Sequence, residues 1–275
     1  MVKKSSRRDF LKGRAAADAL ADAAQAAAPP SPADAAPAAP DSYLLQLSRR
    51  AMAGQFELFL NADQHADATT AGLEALDLVS ALEDQLSYFR VTSEISRLNR
   101  TAADEPVEVE ARLFDLLALA LDLGEQTGGA FDITSAPLWE AWGFARQEGK
   151  LPDEATLAEA RGRVGWRFVD LDRTARTVRF TQPGVRLNLG AIGKGYALDR
   201  AAEALAAAGI DDFLFHGGQS SVLARGSRSG QPGWIVGVRH PLRPDRRWAE
   251  LRLRDRALGS SRGTFQFFRL EGKRY

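Results

Sequence analysis

Three glycines and a lysine crowd the stretch Val185-Arg186-Leu187-Asn188-Leu189-Gly190-Ala191-Ile192-Gly193-Lys194-Gly195-Tyr196, a composition suited to an anion. Glycine lets a backbone approach a ligand closely, the first amides of a helix have no intrahelical acceptor, and Lys194 adds a full positive charge. The stretch is not a Walker loop, because Gly190 stands too near the Gly193-Lys194 pair and Gly195 follows where a Ser or Thr is required. A tight packing corner has the same composition, so the surrounding residues must decide between the two readings.

Two other places carry chemical potential. Asp132 lies in Gly129-Ala130-Phe131-Asp132-Ile133-Thr134-Ser135-Ala136-Pro137; it either accepts hydrogen bonds from a ligand's ring N–H groups or caps the turn that Thr134 and Ser135 begin. His216-Gly217-Gly218-Gln219 ends a strand at a glycine turn, where amides can meet a ligand or simply make a bend. The histidines, at 65, 216 and 240, show no HxxxH spacing, and His216 reads as a partly buried histidine rather than a metal ligand. The absence of cysteine excludes disulfides, thiolate metal sites and cysteine nucleophiles. Formal charge is zero, with 36 Lys+Arg against 36 Asp+Glu, and no basic stripe interleaved with aromatics predicts a nucleic-acid surface.

The elements that position these residues read as a mixture of helices and strands. Phe56–Leu60 is expected as a strand entered through a turn at Met52-Ala53-Gly54-Gln55. Leu73, Leu76, Val79, Leu82 and Leu86 recur at helical spacing between Asp67 and Ser87. A loop and short helix follow to Asn99, capped by Thr92 or Ser93, and of the adjacent Tyr88 and Phe89 one is expected to pack inward while the other faces a groove. Further helices are expected over Glu110–Thr127, ended by Gly128-Gly129, and over Asp153–Arg163, with Trp139 and Trp142 filling core between them. Phe168–Leu171 and Thr177–Phe180 form a hairpin. Val185–Leu189 reads as a strand turning into the amphipathic helix Ala197–Leu205, which Gly209 closes. Phe213–Phe215, Trp234–Val238, Trp248–Leu253 and Thr264–Phe268 complete the strands.

Ahead of this region, Ser6-Arg7-Arg8-Asp9-Phe10-Leu11-Lys12 matches a twin-arginine export signal, followed by an alanine-rich segment with an A-x-A site around Gln25. Residues 1–28 are therefore expected to be a signal, 29–41 a Pro/Ala-rich linker and 42–275 the folded domain. Asp18 and Asp22 interrupt the apolar segment, which leaves a charged N-terminus that is never exported as the other reading.

Taken in order, Met52-Ala53-Gly54, Leu86-Ser87 through Asn99, Gly129 through Thr134, Leu187 through Tyr196, and His216-Gly217-Gly218 resemble the ApbE family of FAD:protein FMN transferases. The resemblance spans residues 42 to 275 and implies an α+β fold with mixed and antiparallel sheets, in two lobes around a flavin cleft. It implies transfer of FMN from FAD to a threonine hydroxyl of a target flavoprotein, with Mg2+ at the pyrophosphate and AMP leaving. By position in the motifs, Met52, Phe89, Ala130, Phe131, Asp132, Asn188 and Lys194 would contact FAD, and Ala191 would give a backbone carbonyl to the metal. Asn188 stands where an aspartate is common and Phe89 where a tyrosine is. The family's general-base histidine and its Asp and Thr metal ligands are expected in a His-Ile-x-Asp-Pro-x-Thr-Gly segment beyond Tyr275. The resemblance also implies an exported, periplasmic protein, peripheral to the membrane through its target. A flavin-binding protein without transfer activity and an FAD pyrophosphatase are the competing readings.

Overall fold

In strand β2, Gly54–Asn61, alternate side chains point to opposite faces, and Phe56, Leu58 and Leu60 are all but inaccessible to solvent. This alternation seeds the core. The computed structural model describes residues 43–275 apart from 63, 147, 242, 262–267, 271 and 275. By contacts the chain divides into Met1–Asp41 and Ser42–Tyr275, and the first unit, with its export motif and linker, lies outside the described residues.

A five-stranded sheet runs in the order β1 (Leu44–Ala51), β2, β6 (Phe213–Gly217), β7 (Ser221–Arg225), β10 (Arg256–Gly259). One face buries Phe56, Leu58, Phe213 and Phe215 beneath two helices, α1 (Ala68–Leu86) and α6 (Gly193–Ala207). Helix α1 presents Leu76, Val79, Leu82 and Leu86 inward as its spacing predicts, together with Ala75, while Leu73 of the same series is 43% exposed. It also approaches closely, since a Cβ on Gly72 would fall 2.4 Å from Leu47 Cδ1. Burying side chains of this size contributes about 2 kcal/mol each, which is why the leucine periodicity was a reliable guide.

The remaining helices are α2 (Glu94–Thr101), α3 (Ala111–Gln126), α4 (Ala136–Ala141) and α5 (Glu154–Gly162). Three carry side-chain caps. Ser93 Oγ accepts from Ser96 N–H at 3.0 Å, which decides between the two predicted caps, while Glu110 accepts from Arg112 and Leu113 N–H and Asp153 from Thr156 N–H. A small sheet, β3 (Val107–Glu108), β5 (Thr177–Phe180), β4 (Val169–Asp172), contributes Val107, Val178 and Phe180 to the same continuous core. On the other face of the large sheet lies a two-stranded ribbon, β8 (Trp234–His240) and β9 (Arg243–Leu253), seated by Trp234 and Leu253 against Val222 and Ala224. A short pair, β11 (Arg269–Leu270) and β12 (Lys273–Arg274), follows.

The α+β class holds, and every strand pairing among the described residues is antiparallel. Other expectations need correction. Strands β1, β7 and β10 were not anticipated; β1 reads LLQLSRRA, whose polar and basic end masks the alternation. Val185–Leu189 joins no sheet, because the Asn99 side chain and the Ile133 carbonyl rather than a neighbouring strand satisfy its backbone. Helix α6 begins at Gly193 rather than Ala197, its glycines being tolerated in a first turn that lacks helical acceptors anyway. Trp139 and Trp142 are only half-buried and fill no core. The expected strand at Thr264–Phe268 falls almost wholly outside the described residues.

Candidate functional site

The turn between β1 and β2 places Met52 and Ala53 at φ 50° and 55°, with Ala51 and Gly54 paired on either side. Left-handed backbone at two consecutive non-glycine residues costs about 1 kcal/mol each. The surroundings hold it there: Met52 N–H donates to Glu83 Oε1 at 2.9 Å, and Gly218 N–H, from the β6–β7 turn, donates to Gln55 O at 2.9 Å. Glycine is required at this crossing, since a Cβ on Gly54 would lie 2.9 Å from Gly218 Cα. Lys194 reaches the same spot from the first turn of α6, its Cε 3.3 Å and its Nζ 3.6 Å from where a Gly218 Cβ would sit. Three predicted motifs therefore converge.

The glycine-rich stretch is fastened from outside. Asn99 clamps Leu187 with both ends of its side-chain amide, accepting from Leu187 N–H at 2.7 Å and donating to Leu187 O at 3.0 Å. Asn188 N–H donates to Ile133 O at 2.8 Å, and Asn188 Oδ1 accepts from Gly190 N–H at 2.8 Å. The first α6 hydrogen bond runs from Tyr196 N–H to Ile192 O, so the Ala191 carbonyl stays outside the helical ladder. A Cβ on Gly193 or Gly195 would meet nothing within 4 Å, so the space beside this helix start is open.

On the other side of the stretch, Phe89 is 67% exposed and packs edge-on to Trp139 with ring centroids 5.7 Å apart. Tyr88 turns inward beneath both rings, as expected of adjacent residues, and donates its hydroxyl to Glu140. Arg186 pairs with the same carboxylate at 2.7 Å. Burial, and then the hydrogen bond to Glu140, push the Tyr88 phenol up to about 12, so it remains a donor at any physiological pH. The loop bearing Phe89 is tied to the Met52 turn through Arg90, which pairs with Glu83 at 3.0 Å. These links join Met52, Glu83, Arg90, Phe89, Trp139, Glu140, Arg186, Asn188, Lys194 and Gly218 into one circuit.

Asp132 is placed differently. Its Oδ1 accepts from Thr134 N–H at 2.8 Å and Thr134 Oγ1 at 2.6 Å, while Oδ2 accepts from Trp166 N–H at 3.0 Å. The turn-capping reading of the sequence describes this geometry, and Thr134, fully buried, extends it by accepting from Gly165 N–H. Ala130 is exposed and Phe131 half-buried beside it, after Gly128 and Gly129 at φ 61° and 81°. His216 lies on the ribbon side of the large sheet, its Nε2 3.1 Å from Glu57 and its buried Nδ1 without a partner among the described residues. Burial outweighs the Glu57 charge and lowers its pKa.

Sequence reasoning missed the parts that position the circuit: Glu83, Asn99, Glu140 and Arg186. Asn99 and Arg186 stand inside motifs the sequence singled out, but their partners are separated from them by 88 and 46 residues. A cavity of about 540 Å³ lies elsewhere, between α1, α3 and α6, lined by Leu82, Gln85, Glu94, Glu110, Arg112 and Tyr196. No predicted contact residue borders it.

For a flavin nucleotide the circuit fits: an exposed aromatic face, and a lysine whose own amide and that of Gly195 have no acceptor among the described residues, whereas Gly193 N–H donates to Leu189 O at 2.7 Å. For Mg2+ the fit is incomplete. The described residues gather no set of three or more His, Asp or Glu that could hold a metal ion, and the Ala191 carbonyl is a single donor where an octahedral oxygen shell is needed.

The chain is similar to known proteins in both sequence and fold. FAD:protein FMN transferases of Klebsiella pneumoniae and Treponema pallidum are 28% and 31% identical over 245 and 224 residues, or 86% and 76% of this chain, which spans 69% and 62% of their lengths. The crystal structure of the ApbE protein of Thermotoga maritima superposes with a TM-score of 0.77 at 27% identity, covering 85% of this chain and 75% of that one. The ApbE family itself matches from Met52 to Tyr275, taking in every motif of the circuit from the Met52 turn onward, and the chain belongs to that family.

Proposed function

We propose that the protein is an FAD:protein FMN transferase, which moves FMN from FAD to a threonine hydroxyl of a target flavoprotein. The observation that carries this reading is the meeting of Lys194 and the open start of α6 with the Gly54–Gly218 crossing, to which the loop of the exposed Phe89 is tied through Arg90, Glu83 and Met52 N–H. The names of its relatives support FMN transfer from FAD to a protein. In the proposed reaction, the threonine oxygen forms a bond to the FMN phosphorus, the phosphoanhydride bond breaks, AMP leaves, and the hydroxyl proton passes to water.

The chain's own residues act by binding and charge neutralisation. Lys194 and the α6 amides oppose the negative charge that spreads over the pyrophosphate oxygens, and the Phe89 face carries an aromatic ring of the dinucleotide. Mg2+ belongs to the proposal as the Lewis acid that family members use, with Ala191 O as one ligand. Export through the twin-arginine motif and a periplasmic location belong to it as well; replacing Arg7 and Arg8 by Lys should then hold the protein in the cytoplasm.

The test is to incubate the chain with FAD, Mg2+ and a threonine-bearing acceptor, then measure flavin mass on the acceptor and AMP in solution. One AMP per attached FMN is expected. FAD binding without either product would leave a flavin-binding protein. AMP without attached flavin would indicate a pyrophosphatase.

A further inference from the structure

The β8–β9 ribbon carries an excess of positive charge on its exposed residues. Between Trp234 and Leu253 the ribbon carries arginines 239, 243, 246, 247 and 252 against two carboxylates, Asp245 and Glu250. The whole chain is formally neutral, so the rest of it has a negative excess. The inner strip of the ribbon, Trp234, Val236, Leu251 and Leu253, is occupied by its packing on the large sheet. The opposite face has no such cover among the described residues. There Ile235 pairs across the strands with Arg252, and Arg239 with Arg247.

The second of these pairs is unfavourable by itself. Like charges directly opposite in an antiparallel ladder repel, and Glu250 answers Arg247, three residues away on its own strand. A β-irregularity falls beside this pair, leaving Trp248 unmatched in the register and 59% exposed, while Ile235 is 50% exposed. Against the expectation of no basic stripe interleaved with aromatics, arginines that repel one another alternate here with an exposed tryptophan and isoleucine, a surface that a dense array of phosphates with an apolar layer beneath would satisfy. Guanidinium groups take phosphate oxygens in a two-pronged fashion, and tryptophan is favoured at the headgroup level of a bilayer.

We infer that the β8–β9 ribbon is a docking surface for an anionic phospholipid bilayer, with arginines 239, 247 and 252 on headgroup phosphates and Trp248 and Ile235 at the interface. An attachment made by these side chains alone is peripheral and reversible. It places the protein at the surface directly, rather than only through its target. The inference is independent of the transfer reaction, and its failure would leave that reading intact.

Flotation of the purified full chain with vesicles tests it. Vesicles of phosphatidylcholine with about one-third phosphatidylglycerol, whose negative surface potential attracts basic segments, should carry the protein up. Pure phosphatidylcholine should not, and half-molar salt should release the protein by screening the attraction. The Arg239→Glu, Arg252→Glu double variant should bind at least about tenfold more weakly, and Trp248→Ser several-fold more weakly. Unchanged FAD affinity and melting temperature would show both variants folded; Arg239→Gln, Arg252→Gln replaces the reversal if it is not. Absence of flotation overturns the inference. So does flotation equal in all variants, which would assign binding to another part of the chain, and so does retention by duplex DNA or polyglutamate without vesicle binding.

Discussion

The turn at Gly129–Ser135 and the stretch at Val185–Tyr196 look alike in sequence, each a glycine-bearing link with one charged residue at its centre of interest, yet they use those charges in opposite ways. Asp132 commits both carboxylate oxygens to the Thr134 and Trp166 amides and the Thr134 hydroxyl. Lys194 instead leans over the Gly54–Gly218 crossing, while Asn99 and Ile133 O, from other parts of the chain, hold the backbone beside it. One link is fastened by its own charge; the other is fastened by neighbours, which leaves the Lys194 charge and the Lys194 and Gly195 amides for a ligand. A charged residue in a glycine turn is thus informative about binding only once the turn's other fastenings are known.

Substitutions should separate the two links. Asp132→Ala removes three hydrogen bonds to a carboxylate and strands buried donors, and should cost about 3 kcal/mol in chemical denaturation. If stability is unchanged while FAD affinity collapses, Asp132 is a ligand contact and the contrast fails. Asn99→Ala unclamps Leu187 and should cost about 2 kcal/mol, with weaker FAD binding because the glycine stretch loses its support. Lys194→Ala should reverse the pattern: a stability change within about 0.5 kcal/mol but FAD binding weakened about tenfold by titration calorimetry, equivalent to about 1.4 kcal/mol. Equal losses at Asp132 and Lys194 in both measurements would erase the distinction.

The smallest effect lies away from both links. The folded pKa of His216 sits below its unfolded value because burial outweighs Glu57. The unfolded chain therefore takes up the proton first as pH falls below about 6.5. Stability from this group is complete above that pH and declines as pH falls toward the folded value. In melting temperatures measured from about pH 7 to pH 5, His216→Gln should flatten the decline, and an unaltered slope would show that the imidazole does not set it.

Much of the fold was legible because burial imposes a period. The leucines of α1, the alternation of β2 and the caps at Ser93 and Asp153 each depend on residues close in sequence. Val185–Leu189 was misread as a strand for the same reason: alternating Val185, Leu187 and Leu189 are buried as a strand's would be, but the backbone partners are side chains and a loop carbonyl. Strand β10, short and mostly exposed, carries no pattern that marks it.

The sequence by itself determined helices α1, α2, α3 and α5, the turn glycines and the order of motifs that marks the ApbE family, since propensity, periodicity and motif order are local or linear properties. It did not determine α4, whose Pro137 reads as a stop and instead sits in the helix's first turn. Only the tertiary structure decided that Asp132 is internally satisfied, that Glu140 joins Tyr88 to Arg186, and that Lys194 meets Gly218. It also showed that five arginines of a ribbon share one exposed arm. Each of these depends on hydrogen bonds and charges between residues far apart along the chain, and no periodicity records which distant partner a polar group will find.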